Sequence, residues 1–118
     1  MSTYQNDNRF SVYAVWQTLN RALLEDVKAN QHSFNSYRSP TIVSCMTDMS
    51  IIGEAIKSND TKTACHHLSC IASHSRDAIE VSKRYHLHET DEFDKPFYEF
   101  NMAAHILMVR ITGIGFLS

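Results

Sequence analysis

Residues 95–112 read KPFYEFNMAAHILMVRIT, and this stretch decides the fold. At 100° per residue its apolar side chains fall on two faces of a helix rather than on one. The first face consists of Phe97, Phe100, Ala104, Leu107, Met108 and Ile111, and the second consists of Tyr98, Met102, Ile106 and Val109. A helix that is apolar nearly all round must be covered nearly all round. The sequence therefore predicts a central helix that either the rest of the chain wraps, or that a second molecule covers on one side.

Length and composition favour one small helical domain. The chain has 118 residues, which is enough for one core, and only three Gly and two Pro, which leaves little material for the turns of a sandwich or barrel. Three cysteines, an odd number, fit free thiols in a reducing cytoplasm better than a disulfide framework. The N-terminus MSTYQNDNRF lacks the pattern of a secretory signal peptide, and the longest apolar run is too short to span a bilayer. We therefore expect a cytoplasmic protein that does not enter the membrane.

Hydrophobic periodicity and capping residues outline four helices. They are predicted at about 10–29, 40–57, 61–85 and 95–112, after a loose N-terminus at 1–8 and before an apolar tail at 113–118. Ser58-Asn59 is expected to end the second helix, Asp60 to cap the third, and Asp94 to cap the last. The predicted fold is all-α: residues 1–118 form a single domain, most simply an antiparallel bundle, with the last helix central.

The other helices carry faces that suit such a bundle. In the first helix, Trp16 is interpreted as a core anchor, with stacking on a ligand as the alternative. The inward face of the second helix is predicted to consist of Ile42, Val43, Met46, Met49, Ile52 and Ile56, with Gly53 as a point of close packing. The third helix has a stripe of mostly small residues, Ala64, Leu68, Ile71, Ala72, Ser75, Ile79 and Ser82, which would let the bulky last helix approach closely.

Two groups of residues suggest protein–protein contacts. For self-association, the candidates are Met102, Ile106 and Val109 on the last helix and Val81 on the third. For binding another protein, the acidic stretch after the third helix suits a partner with a basic surface, and the aromatic and Arg side chains of the loop at 31–39 are types enriched at binding hot spots. These partner-binding candidates are Phe34, Tyr37, Arg38, Glu89, Asp91, Glu92, Phe93 and Tyr98. The alternatives are a solubilising loop and aromatics that fold back onto their own domain.

The third helix also carries a possible metal site. His67, Cys70 and His74 are spaced i, i+3, i+7 and share one side of a helix, and His66 can reach Cys70 at i+4. Imidazole and thiolate are ligands that zinc accepts, although no paired C-x2-C motif is present. Local hydrogen bonding or an oligomer contact would explain the same residues. The sequence requires no cofactor, and zinc is the one that it could accommodate.

The remaining motifs argue against catalysis and against a nucleic-acid partner. No glycine-rich phosphate loop, H-E-x-x-H or G-x-S-x-G motif occurs, and a Cys-His pair on one helix has no obvious orienting carboxylate. The net charge of −2 provides no overall attraction for phosphates, and Arg76, Lys83 and Arg84 do not share one helix face. The sequence therefore predicts a non-enzymatic, self-associating protein that regulates or inhibits a protein partner, of the kind found on phages and mobile elements. A metal-binding helical protein is the first alternative and a nucleic-acid-associated regulator the second.

Overall fold

A computed structural model of the chain describes residues 2–30, 39–85 and 91–113, and within these ranges it describes the backbone alone for 2–10, 30, 39, 85 and 91–94. Within these ranges the chain forms four α-helices and no strand. They are α1 (Ser2–Asn30), α2 (Ser39–Lys57), α3 (Thr61–Tyr85) and α4 (Asp91–Thr112). The prediction of a small all-α bundle is confirmed.

The helices pack in the order in which they follow one another. α1 packs against α2, α2 against α3, α3 against α4, and α4 closes the ring by packing against α1. Successive long helices joined by short connections must run in opposite directions if they are to lie side by side. The bundle is therefore antiparallel and elongated, with principal extents of 52 × 29 × 19 Å.

The turn between α2 and α3 follows directly from its sequence. Asn59 adopts a left-handed conformation with φ of 57°. The N–H of Asn59 donates to the carbonyl of Ile56 and the N–H of Asp60 to that of Ala55, which is the Schellman pattern of helix termination. The Asp60 carboxylate then accepts a hydrogen bond of 3.1 Å from the Thr63 N–H and caps α3. A hydrogen bond from the Thr63 side chain, followed by this backbone bond, lowers the pKa of Asp60. The predicted end of the second helix at Ser58-Asn59 and the predicted Asp60 cap are both confirmed.

The core forms where α4 lies against the small residues of α3. Phe97, Phe100, Ala104, Leu107 and Met108 are buried, as are all members of the predicted α3 stripe except the half-buried Ala72. A polar pair lies within this seam: the Asn101 amide donates to the Ala72 carbonyl at 3.2 Å and to Ser75 Oγ at 3.0 Å. Ser75 Oγ in turn donates to the Ile71 carbonyl at 2.7 Å. The contact between α3 and α4 therefore combines apolar burial with hydrogen bonds that fix the register of the two helices.

Trp16 joins α1 to α2 as a core anchor. Its indole Nε1 donates to the Met49 carbonyl at 2.9 Å, and its ring stacks on Tyr13 with centroids 5.2 Å apart. The ring lies directly over Gly53, where any Cβ would overlap it. Gly53 is therefore a close-packing point, as predicted.

Several predicted details are wrong. α1 begins at Ser2 rather than near residue 10, because the polar residues of the expected loose segment include no Gly or Pro and carry only small helix penalties. α4 begins at Asp91, so Asp94 lies inside the helix and is not its cap. Pro96 lies inside this helix although it has no backbone N–H to donate. Val43 is 61% exposed because it lies 100° beyond the buried Ile42.

The last helix is not enclosed on all sides. α4 packs mainly against α3 and α1, and its second face lies on the outside of the ring. The chain therefore covers only the first apolar face of this helix, and it does not wrap the second face. The predicted apolar tail at 113–118 lies outside the described residues after Gly113, which ends the helix with φ of 83°.

Candidate functional site

The outer side of α4 carries an exposed row of apolar side chains. Tyr98 is 46% exposed, Met102 64% and Val109 49%. They are three of the five large hydrophobic side chains that are exposed in the described part of the chain; Leu24 and Val43 are the others. Ile106, which the sequence placed with them, is half-buried beside the row. Val81 is also half-buried, but it belongs to α3.

The spacing of this row matches a helix–helix contact. Tyr98, Met102, His105 and Val109 follow one another at intervals of four, three and four residues, which is the spacing of the a and d positions of a coiled coil. His105 is exposed between the apolar members. We call these four residues the outer row. A second helix could place its own side chains between them.

Charged side chains lie beside the outer row. Lys95 Nζ is 3.6 Å from a carboxylate oxygen of Glu99 on α4 and 3.8 Å from one of Asp26 on α1. Arg110, near the other end of the helix, is exposed. Glu99 and Arg110 lie on the same flank of the row because eleven residues correspond to about three helical turns. Glu99, which is paired with Lys95, and the exposed Arg110 therefore lie near opposite ends of one flank.

The predicted metal stripe on α3 is divided by the structure. His67 Nδ1 lies 2.8 Å from Asp48 Oδ1 on α2, so His67 is turned toward the neighbouring helix. Cys70 instead faces His66, with 3.9 Å between Sγ and Nε2, and His74 is exposed. Across the residues that the structure describes, no three His, Cys, Asp or Glu side chains lie close enough together to hold a metal ion. The sequence spacing correctly predicted that His67, Cys70 and His74 belong to one helix, but it gave no sign that the Asp48 carboxylate contacts His67.

The thiols are poorly suited to nucleophilic chemistry. Burial, with a smaller contribution from Asp48, raises the pKa of Cys45 to about 12. Burial also raises the pKa of Cys65, and burial together with Asp48 raises the pKa of Cys70. A reactive cysteine needs the opposite shift, because the thiolate is the nucleophile. Asp48 contacts His67 at 2.8 Å, while burial and, to a smaller extent, the charge of Asp48 raise the pKa of the neighbouring Cys70 and so disfavour its free thiolate.

Most of the predicted partner-binding residues lie outside what can be described. Phe34, Tyr37, Arg38 and Glu89 are not among the described residues. The backbone of 91–93, with Asp91, Glu92 and Phe93, forms the first turn of α4 instead of the predicted acidic loop. Tyr98 is the one candidate whose side chain is described, and it belongs to the outer row.

Sequence reasoning missed two residues that the structure makes prominent. Asp48 meets His67, and Asn101 bridges α4 to α3. Each depends on the register between two helices, which periodicity within one helix does not contain. Asn101 did carry a weak signal, since it interrupts an otherwise apolar helix next to the predicted small-residue stripe.

The comparisons with known proteins found no relative. No protein-family model matches the chain, and no curated protein and no solved structure matches it either. Within the described ranges, none of the four helices is both long and apolar enough to cross a membrane.

Proposed function

We propose that this protein acts by binding other protein chains, and that its first partner is a second copy of itself, held through the outer row of α4. The observation that supports the proposal is the exposure of Tyr98, Met102 and Val109 at coiled-coil spacing. Apolar side chains aligned on one exposed helix face are typical of an interface. A role as a regulator or inhibitor in the cytoplasm, through such contacts, belongs to the same proposal.

Charge favours an antiparallel pair of α4 helices. In an antiparallel pair, the same flank of each helix meets across the contact, so Glu99 of one copy would approach Arg110 of the other. In a parallel pair, the same ends of the two helices would lie together, and Glu99 of one copy would not approach Arg110 of the other. The two copies would then be related by a two-fold axis, the commonest symmetry of protein dimers.

The size of the outer row indicates a reversible association. Burying the exposed half of one of these apolar side chains contributes about 1 kcal/mol, so the three side chains of both copies together contribute about 6 kcal/mol. Association itself costs at least ~4 kcal/mol in lost translational and rotational freedom. The ~2 kcal/mol that remains corresponds to a dissociation constant on the order of 30 mM, so the outer row alone supports only a weak association. For a dimer to form at measurable concentrations, the contacts between Glu99 and Arg110 must contribute as well, and such a dimer is reversible rather than obligate.

The decisive experiment is sedimentation equilibrium of the full chain over a wide concentration range, with Val109→Glu and Val43→Glu as a matched pair. Both valines are exposed, at 49% and 61%, but only Val109 belongs to the outer row. Val109→Glu should raise the dissociation constant at least about tenfold, because it places a charge in the contact. Val43→Glu should leave it unchanged.

The outcomes separate the possibilities clearly. A wild-type chain that stays monomeric at every concentration contradicts self-association. A dimer that Val43→Glu disrupts and Val109→Glu does not would move the contact away from α4. For the orientation, Arg110→Glu should weaken the dimer and the added change Glu99→Lys should restore it; failure of this rescue contradicts the antiparallel arrangement.

A further inference from the structure

The outward side of α3 carries a pair of metal-binding atoms that the self-association does not use. His66 and Cys70 lie one helical turn apart, and 3.9 Å separates His66 Nε2 from Cys70 Sγ. His66 is exposed and Cys70 is half-buried, so an ion can reach both from solvent. The ring of His67 lies beside that of His66, with 5.1 Å between the ring centroids, but His67 Nδ1 makes its own 2.8 Å contact with Asp48 on α2.

The separation of these two atoms fits one metal ion. Zinc binds histidine nitrogen at about 2.0–2.1 Å and cysteine sulfur at about 2.3 Å with tetrahedral angles, which places the two ligand atoms about 3.6 Å apart. The observed 3.9 Å differs from this by only a few tenths of an ångström. Small rotations of the two side chains would close that gap without moving the helix.

We propose that His66 and Cys70 form a two-residue binding site for a thiophilic metal ion of the zinc class. The metal takes the place of the thiol proton between the two side chains. The sulfur–hydrogen bond breaks, the proton passes to solvent, and the sulfur electron pair binds the ion, while the neutral imidazole donates through Nε2. No electron is transferred.

Two protein ligands make this an open site. Closed structural zinc sites have four protein ligands and fold only with the metal, whereas here water completes the coordination. The helix forms without the ion, because the buried side of α3 is held by Leu68, Ile71 and Ser75. Metal removal should therefore leave the fold intact, and the proposal does not depend on dimer formation.

The test uses Co²⁺ as a spectroscopic probe and Zn²⁺ as its competitor, on the metal-free full chain. Co²⁺ should give a thiolate-to-metal charge-transfer absorption, and Zn²⁺ should displace it. Cys70→Ser should abolish the absorption. His66→Ala should weaken binding at least about tenfold, since even supporting residues around a metal change affinity by ~10–100-fold.

Matched controls come from the same helix. Cys65→Ser removes a thiol five residues away, and His74→Ala removes an exposed imidazole that is also four residues from Cys70. Both should leave the affinity unchanged, and circular dichroism should show the same helix content in all four variants. The proposal is wrong if no charge-transfer band forms, if the band survives Cys70→Ser, or if His74→Ala weakens binding and His66→Ala does not.

Discussion

Gly53→Ala should destabilise this protein, although the same change usually stabilises a helix. Alanine is favoured over glycine inside helices by about 1 kcal/mol, because glycine loses more backbone entropy on folding. At Gly53, however, a Cβ would lie 2.5 Å from Cη2 and 2.7 Å from Cε2 of Trp16. Trp16 would have to move, and its 2.9 Å hydrogen bond to the Met49 carbonyl would be strained.

The magnitude follows from these opposing effects. Overpacking a well-packed contact costs about 1–3 kcal/mol, and weakening a partly buried hydrogen bond adds about 1 kcal/mol. The helix propensity of alanine returns about 1 kcal/mol. The expected result is a net loss of about 2 kcal/mol in the free energy of unfolding, or roughly 8 °C in Tm for a domain of this size.

Urea denaturation followed by far-ultraviolet circular dichroism measures this loss. Ser50→Ala, at an exposed position of the same helix, is the control and should stabilise slightly. In a Trp16→Leu background, which removes most of the obstructing ring, Gly53→Ala should become neutral or stabilising. A Gly53→Ala protein that is more stable than wild type would show that α1 and α2 are not this close, and the reasoning would be refuted.

Two further predictions concern the buried polar groups. Asn101→Ala should lower the free energy of unfolding by about 1–2 kcal/mol in urea titrations, because the Ala72 carbonyl and Ser75 Oγ lose a donor; a neutral effect would argue against the bridge. Burial raises the pKa of Cys45 from 9.0 to about 12 in the folded state. Between these two pH values only the unfolded thiol ionises, so the free energy of unfolding should be unaffected below pH 9 and should fall above it by about 1.4 kcal/mol per pH unit. Cys45→Ala should have a shallower alkaline slope than wild type, and equal slopes would contradict the shift.

Much of the fold could be predicted from local patterns. Three features depend only on residues that are close in the sequence, and the structure confirms them: the small-residue stripe of α3, the end of α2 at Ser58-Asn59 and the Asp60 cap. The start of α1 was missed because Asn and Asp favour caps and turns, although their penalty inside a helix is only roughly a few tenths of a kcal/mol. Val43 was misplaced because its residue type suggested burial while its angle did not.

The candidate sites were harder to predict, for a physical reason. Periodicity revealed that α4 has two apolar faces, but it contains no information on which face the other helices cover. The choice between His66 and His67 as the neighbour of Cys70 likewise depended on Asp48, which belongs to a different helix. Contacts between elements fix these details, and a single helix pattern does not encode them.

The hydrogen bonds between Asn101 and α3 also limit how α4 can turn about its own axis. An apolar seam alone tolerates small rolling and sliding motions, because methyl groups exchange neighbours at little cost. An amide that contacts both the Ala72 carbonyl and Ser75 Oγ loses both contacts when its helix rolls. The face of α4 that carries Tyr98, Met102 and Val109 is consequently held at one angle toward solvent, so an approaching chain does not have to reorient the helix.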